Sequence, residues 1–302
     1  MSGSAPAPLG VVARYNLLER LEPAGPGELY RARDTHLGRT VAVRLLPPGF
    51  TASPAALIES ARSLISLSHP NVITLFDVGE HDGRVYLVFE HLKGQSLRAE
   101  MAGRTLNVRR AVDLTVQMAD AVAAAHAAGF VHGGLSPDSI AVTAKGHAKI
   151  PAFELAAHGG FEQADGQVRL RDYDSPEEAR GEHPDERSDI FSVGAILYEM
   201  LTTRRPHHRG AAAPSAANPH VPKELDEVAL KAVAPNRDNR YQSAAALASG
   251  LRGVAALVDA RGGLGDEDDE PVESSTSVTR VLLTAALILI VVALLAWWIM
   301  RS

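Results

Sequence analysis

Residues 175–194 read SPEEARGEHPDERSDIFSVG. The last seven of them open a longer run, Ser188–Thr203, that is apolar nearly all round. A helix apolar on every side belongs inside a protein, so this run predicts a buried helix in a large core. Downstream, apolar spacing predicts further helices over Leu225–Val233 and Gln242–Leu257.

Upstream the pattern changes. Short strands are predicted around Ile140–Val142 and Ala148–Ile150, separated by Lys145-Gly146. A long helix carries Val108, Ala111, Val112, Val116, Ala119 and Val122 on one face and stops at Gly129. Before Gly94 the chain reads as strands. Val72–Glu80 and Arg84–Glu90 are joined by a hairpin turn at His81-Asp82-Gly83. Val41, Val43 and Leu45 point one way at period two. Between them, Ser53-Pro54 supplies an N-cap followed by proline at the first helical position, and Leu57, Ala61 and Leu64 share one helical face. The order is a small β-rich lobe, about residues 14–92, followed by a larger helical lobe, about 93–261. Residues 1–13 are small and Pro-rich, and are expected to be disordered.

That order, with its local sequences, resembles a bacterial Ser/Thr protein kinase domain of the Hanks type. The resemblance rests on Ala32-Arg33-Asp34 with Val41-Ala42-Val43, Ser68-His69-Pro70-Asn71-Val72, Asp77-Val78-Gly79-Glu80, Tyr86-Leu87-Val88, Val131-His132, Ser175–Gly181, Arg187–Ser192 and Arg240-Tyr241-Gln242-Ser243. It implies an α+β fold, bilobal and protein-kinase-like.

The resemblance also locates the positions that transfer phosphate in the family, where catalysis is chiefly positioning and charge stabilisation. The stretch Leu21–Tyr30 replaces the first two loop glycines by Glu22 and Ala24 and keeps Gly27, while Pro23 and Pro26 each remove an N–H donor. The phosphate-gripping strand lysine is Arg44, and its helix glutamate partner falls on Ser60. In Val131–Ser139, Gly134 stands at the catalytic aspartate, Ser136 at the lysine and Ser139 at the metal-binding asparagine. The metal-binding tripeptide aligns with Ala152-Phe153-Glu154, and Ala152 has no oxygen to offer Mg²⁺. Asp138 reads as a surface charge. Residues 155–174 contain no Ser or Thr, Leu170 stands at the threonine that helps place substrate, and the phosphate-pairing arginine of the loop is Gly133. No catalytic residue and no metal ligand is therefore expected.

Residues that hold the family's shape are retained. Leu64, Leu75, His132 and Phe153 fall on its hydrophobic spine, Asp189 on the carboxylate that anchors the catalytic loop, and Glu177 with Arg240 on a buried ion pair. A nucleotide pocket would be lined by Leu29, Ala42, Arg44, Glu90, Leu92 and Ala141, with Phe89 narrowing its back. Adenine contacts there are mostly backbone, which leaves room for weak Mg²⁺-independent ATP binding, although no cofactor is expected.

Outside this body, Val281–Met300 reads VLLTAALILIVVALLAWWIM, uncharged and bracketed by Arg280 and Arg301. As a helix it would be about 30 Å long, the thickness of a bilayer's hydrocarbon core. A single transmembrane helix over 281–300 is expected, with the kinase-like domain on the cytoplasmic side of the inner membrane. Residues 262–280 carry Asp266–Glu270 and a Ser/Thr stretch, and read as an acidic disordered linker. The net charge is −6 and there are no cysteines, which argues against nucleic acid as a partner and excludes disulfides and thiolate metal sites. The reading these features favour is a membrane-anchored pseudokinase that binds a protein partner, an active kinase or its substrate. An active Ser/Thr kinase with an unconventional site and a nucleotide-sensing switch are the alternatives.

Overall fold

The computed structural model describes residues 8–22, 27–51, 53–151, 172–206 and 210–260. The small lobe is a six-stranded antiparallel sheet in the order β1-β2-β3-β4-β6-β5. Its strands are β1 (Gly10–Val12), β2 (Tyr15–Leu21), β3 (Glu28–Asp34), β4 (Thr40–Leu45), β5 (Leu75–His81) and β6 (Arg84–Glu90). Alternation sends Tyr15, Leu17, Ala32, Val41, Val43, Leu45, Tyr86 and Val88 into one apolar cluster, as the period-two reading of β4 implies. Helix α1 (Pro54–Leu64) packs on β5. Ser53 Oγ accepts from Ala56 N, and Leu57, Ala61 and Leu64 are its buried face.

Two expectations for this lobe need correcting. Residues 10–12 are not disordered: they pair with β2, Gly10 opposite Leu17 and Val12 opposite Tyr15. The strand predicted from Val72 starts at Leu75. Val72 instead bridges Ile150, and Thr74 N donates to the Glu90 carboxylate at 2.9 Å. The hairpin turn itself holds two residues, Asp82 and Gly83, both at positive φ, which matches the twist of the flanking strands.

The large lobe is built around α3 (Val108–Ala127) and α4 (Glu186–Thr202). Asn107 caps α3 through its side chain. Along α3, Leu114, Thr115 and Met118 are fully buried, while Val116 is only partly so. Helix α4 begins two residues before the predicted start because Asp185 and Ser188 form a reciprocal capping box. Fifteen of its residues are buried. Helices α5 (Pro214–Ala217) and α6 (Lys223–Ala232) pack against it, and a Cβ on Gly194 would lie 2.6 Å from that of Ala232. Helix α7 (Ala244–Ala260) starts later than predicted because Gln242 turns back to the Arg240 carbonyl and Ser243 caps Ala246 N. Strands β7 (Gly94–Ser96), β8 (Ala141–Thr143) and β9 (Ala148–Lys149) form a small sheet, with the short helix α2 (Leu97–Met101) after β7. No helix among the described residues is long and apolar enough to cross a membrane. Residues 262–280 and 281–300 lie outside the described residues.

Candidate functional site

The candidate site centres on a loop, residues 131–140, lying between α3 and β8. The loop hangs from one buried carboxylate beneath it. Asp189 on α4 accepts from His132 N and Gly133 N, each at 2.8 Å, and meets His126 Nε2 at 2.8 Å. A buried carboxylate is tolerable when its oxygens are satisfied, and here it fixes the loop backbone. Gly133 adopts φ +60°, and a Cβ there would come within 3.3 Å of the Pro184 ring.

The side chains above that anchor face one another. Ser139 Oγ donates to Ser136 O at 2.9 Å, accepts from Ser136 N at 3.3 Å and lies 3.4 Å from Ser136 Oγ. Gly134 has no side chain. Neutral hydroxyls turned inward do not fit a divalent ion that prefers carboxylate oxygens, and among the described residues no three His, Asp or Glu side chains converge as ligands. Ala152, with Phe153 and Glu154, lies outside the described residues, as do Pro23–Pro26 and Leu170.

The small-lobe side of the candidate pocket is on β3, β4 and β6. Arg44 on β4 lies opposite Leu29 on β3 and Leu87 on β6, and Ala42 lies opposite Phe89. Burial lowers the pKa of the Arg44 guanidinium below its ordinary value. Ser60 sits on α1, its carbonyl accepting from Ser63 Oγ at 2.5 Å. Gly27 is retained for a reason of shape: it has φ +85°, and a Cβ would stand 2.1 Å from Leu45 O. At the connection between lobes, Lys149 Nζ donates to Glu90 Oε1 at 2.6 Å. The Glu90 side chain is thus a brace between β6 and β9, a role its backbone position did not suggest. Leu92 follows it, and Ala141 lies on β8 opposite Lys149. Next to Glu90, burial first, and then the charges of Arg31 and Lys93, push the His91 imidazole below its usual pKa.

Of the shape-holding residues, Leu64, Leu75 and His132 are buried, and Glu177 with Arg240 forms the expected ion pair, both side chains sealed. Arg98, Tyr173 and Glu199, which no sequence pattern marks, meet beside Asp138. Arg98 and Glu199 stand 101 residues apart, and nothing local marks either one.

A family model for the protein kinase domain matches residues 18–251. The chain belongs to the protein kinase family. It is 35% identical over 257 residues to the probable serine/threonine-protein kinase SCO3848 of Streptomyces coelicolor, covering 76% of this chain and 38% of that protein. It is 33% identical over 264 residues to the serine/threonine-protein kinase PknB of Mycolicibacterium smegmatis, covering 79% and 42%. The chain spans less than half the length of these two relatives. In fold it is similar to the kinase domain of Mycobacterium tuberculosis PknI, with a TM-score of 0.66, 21% identity, and coverage of 81% of this chain and 97% of that one.

Proposed function

We propose that this kinase-fold protein works by binding and not by phosphoryl transfer: a pseudokinase that serves as scaffold or regulator of a cytoplasmic protein partner. In this reading residues 281–300 anchor it in the inner membrane. The observation that supports it is the division within one loop. Asp189 still holds the backbone at His132 and Gly133, while Gly134 offers no base and the Ser136 and Ser139 hydroxyls are spent on the loop itself. A lost general base alone costs on the order of 10²–10⁴ in rate.

A second reading, an active Ser/Thr kinase with an unconventional site, is favoured by the relatives, which are named serine/threonine-protein kinases. One experiment separates the two. The purified full chain is melted with millimolar ATP, with and without Mg²⁺, and then assayed for phosphate incorporation into itself and a general protein substrate. A ligand at 100 times its Kd stabilises by about 2.7 kcal/mol, an easily read shift. The pseudokinase reading expects no incorporation, and either no shift or one indifferent to Mg²⁺. A Mg²⁺-dependent shift with incorporation would replace it by the active-kinase reading.

A further inference from the structure

Arg98, on α2, joins three separate parts of the large lobe. Its NH1 donates to Glu199 Oε1 on α4 at 2.8 Å. Its Nε and NH2 lie 3.4 Å from Asp138 Oδ2 on the loop. The same NH2 donates to the Tyr173 hydroxyl, and that hydroxyl donates in turn to Glu199 Oε2. Tyr173 is held at its backbone as well, where its carbonyl accepts from Ser192 Oγ at 2.8 Å. A second guanidinium, Arg205, lies 5.8 Å from the Tyr173 ring centroid and pairs with Asp172.

The inner side of the cluster, Tyr173 and Glu199, is dry, while Arg98 is partly and Asp138 largely open to solvent. Tyr173 is 3% exposed and Glu199 7%, and charge-assisted hydrogen bonds gain strength where water is excluded. Burial opposes the Arg98 charge, but its bonds to Tyr173 and Glu199 outweigh that and raise its pKa. The forked guanidinium is what makes the geometry work: one planar group serves two carboxylates and a phenol, which a lysine ammonium could not.

Tyr173 lies at the end of the stretch, residues 155–174, that contains no Ser or Thr. A phosphate carried on a Ser or Thr of that stretch cannot be the device that orders it. We infer that Arg98 is a positioning residue, a permanent latch that ties residues 172–175 to α2, α4 and the Asp138 loop, so that the surface over 172–181 is set without phosphate or nucleotide. The latch does not depend on whether the protein transfers phosphate, so it stands or falls separately from the function proposed above.

Hydrogen exchange read by mass spectrometry on the full chain tests it. In the unaltered protein, protection over 172–181 is expected to be the same with and without Mg²⁺ and ATP. Arg98→Ala is expected to lower that protection by about tenfold or more while α3 keeps its own, since local opening is read segment by segment. Arg98→Lys is expected to fall between the two, and methylguanidinium is expected to restore protection in Arg98→Ala. The latch is overturned if 172–181 is as protected in Arg98→Lys and Arg98→Ala as in the parent. It is equally overturned if α3 loses protection to the same extent, which would make Arg98 a general structural residue, or if ATP alone changes protection over 172–181 in the parent.

Discussion

Glu177 and Arg240, 63 residues apart, meet through two parallel hydrogen bonds of 2.6 and 2.7 Å, with side-chain exposures of 1% and 0%. Arg240 also donates to the carbonyls of Ala234 and Arg187, and Ser188 Oγ donates to Glu177. Removing one partner leaves the other charged and buried. Arg240→Ala is therefore expected to cost about 3–5 kcal/mol, measured by urea unfolding. Glu177→Leu combined with Arg240→Met is expected to cost less than Arg240→Ala alone, because no charge is then stranded.

The same pair sets an acid limit. Burial by itself would lift the Glu177 carboxyl, but the bonds from Arg240 and Ser188 outweigh it and hold the group at about 2, against an ordinary 4.5. A carboxyl whose pKa falls on folding stabilises the fold fully above its unfolded value, and that contribution drains away as pH falls toward the folded value. Stability is expected to decline between pH 4.5 and about 2. Circular dichroism melts across that range should show the decline, and Glu177→Gln should flatten it.

Asp189→Asn retains one acceptor and turns a donor toward an N–H group that needs an acceptor. The loop amides of His132 and Gly133 then compete for one oxygen. A loss of about 3 kcal/mol is expected, the upper end for a buried group left unsatisfied. Amide exchange at residues 132 and 133 should quicken before any global change.

Two glycines at positive φ should separate strain from crowding. Gly83, at φ +72°, has nothing within 4 Å of a built Cβ, whereas Gly27, at φ +85°, would meet Leu45 O at 2.1 Å. Gly83→Ala is expected to cost about 1 kcal/mol, the conformational penalty alone. Gly27→Ala should cost clearly more, since β3 and β4 must separate to admit it. Paired thermal melts read the difference.

What the sequence disclosed follows the range of each interaction. Ser53 as a cap and Leu57, Ala61 and Leu64 as a face are local patterns, and they are where the helix rules place them. The buried α4 was legible because its apolar residues leave no polar side. Strand β1 was not: Gly10–Val12 is short and follows a Pro-rich stretch, and only pairing with Leu17, Asn16 and Tyr15 makes it a strand. The roles of Asp189, Glu177 and Arg240 came from resemblance, because no spacing joins residues 63 apart. Arg98 with Glu199 had neither a local pattern nor a family cue, so only the folded chain brings them into view.

The support beneath the 131–140 loop has an evolutionary consequence. Because Asp189 holds the loop backbone at residues 132 and 133, that anchor does not depend on the side chain carried at position 134, whereas Ser136 and Ser139 brace the loop themselves. A chain of this family can therefore change the side chain at position 134 and still hold the loop on α4. The same separation means that position 134 can be varied without touching the bonds that tie the loop to α4.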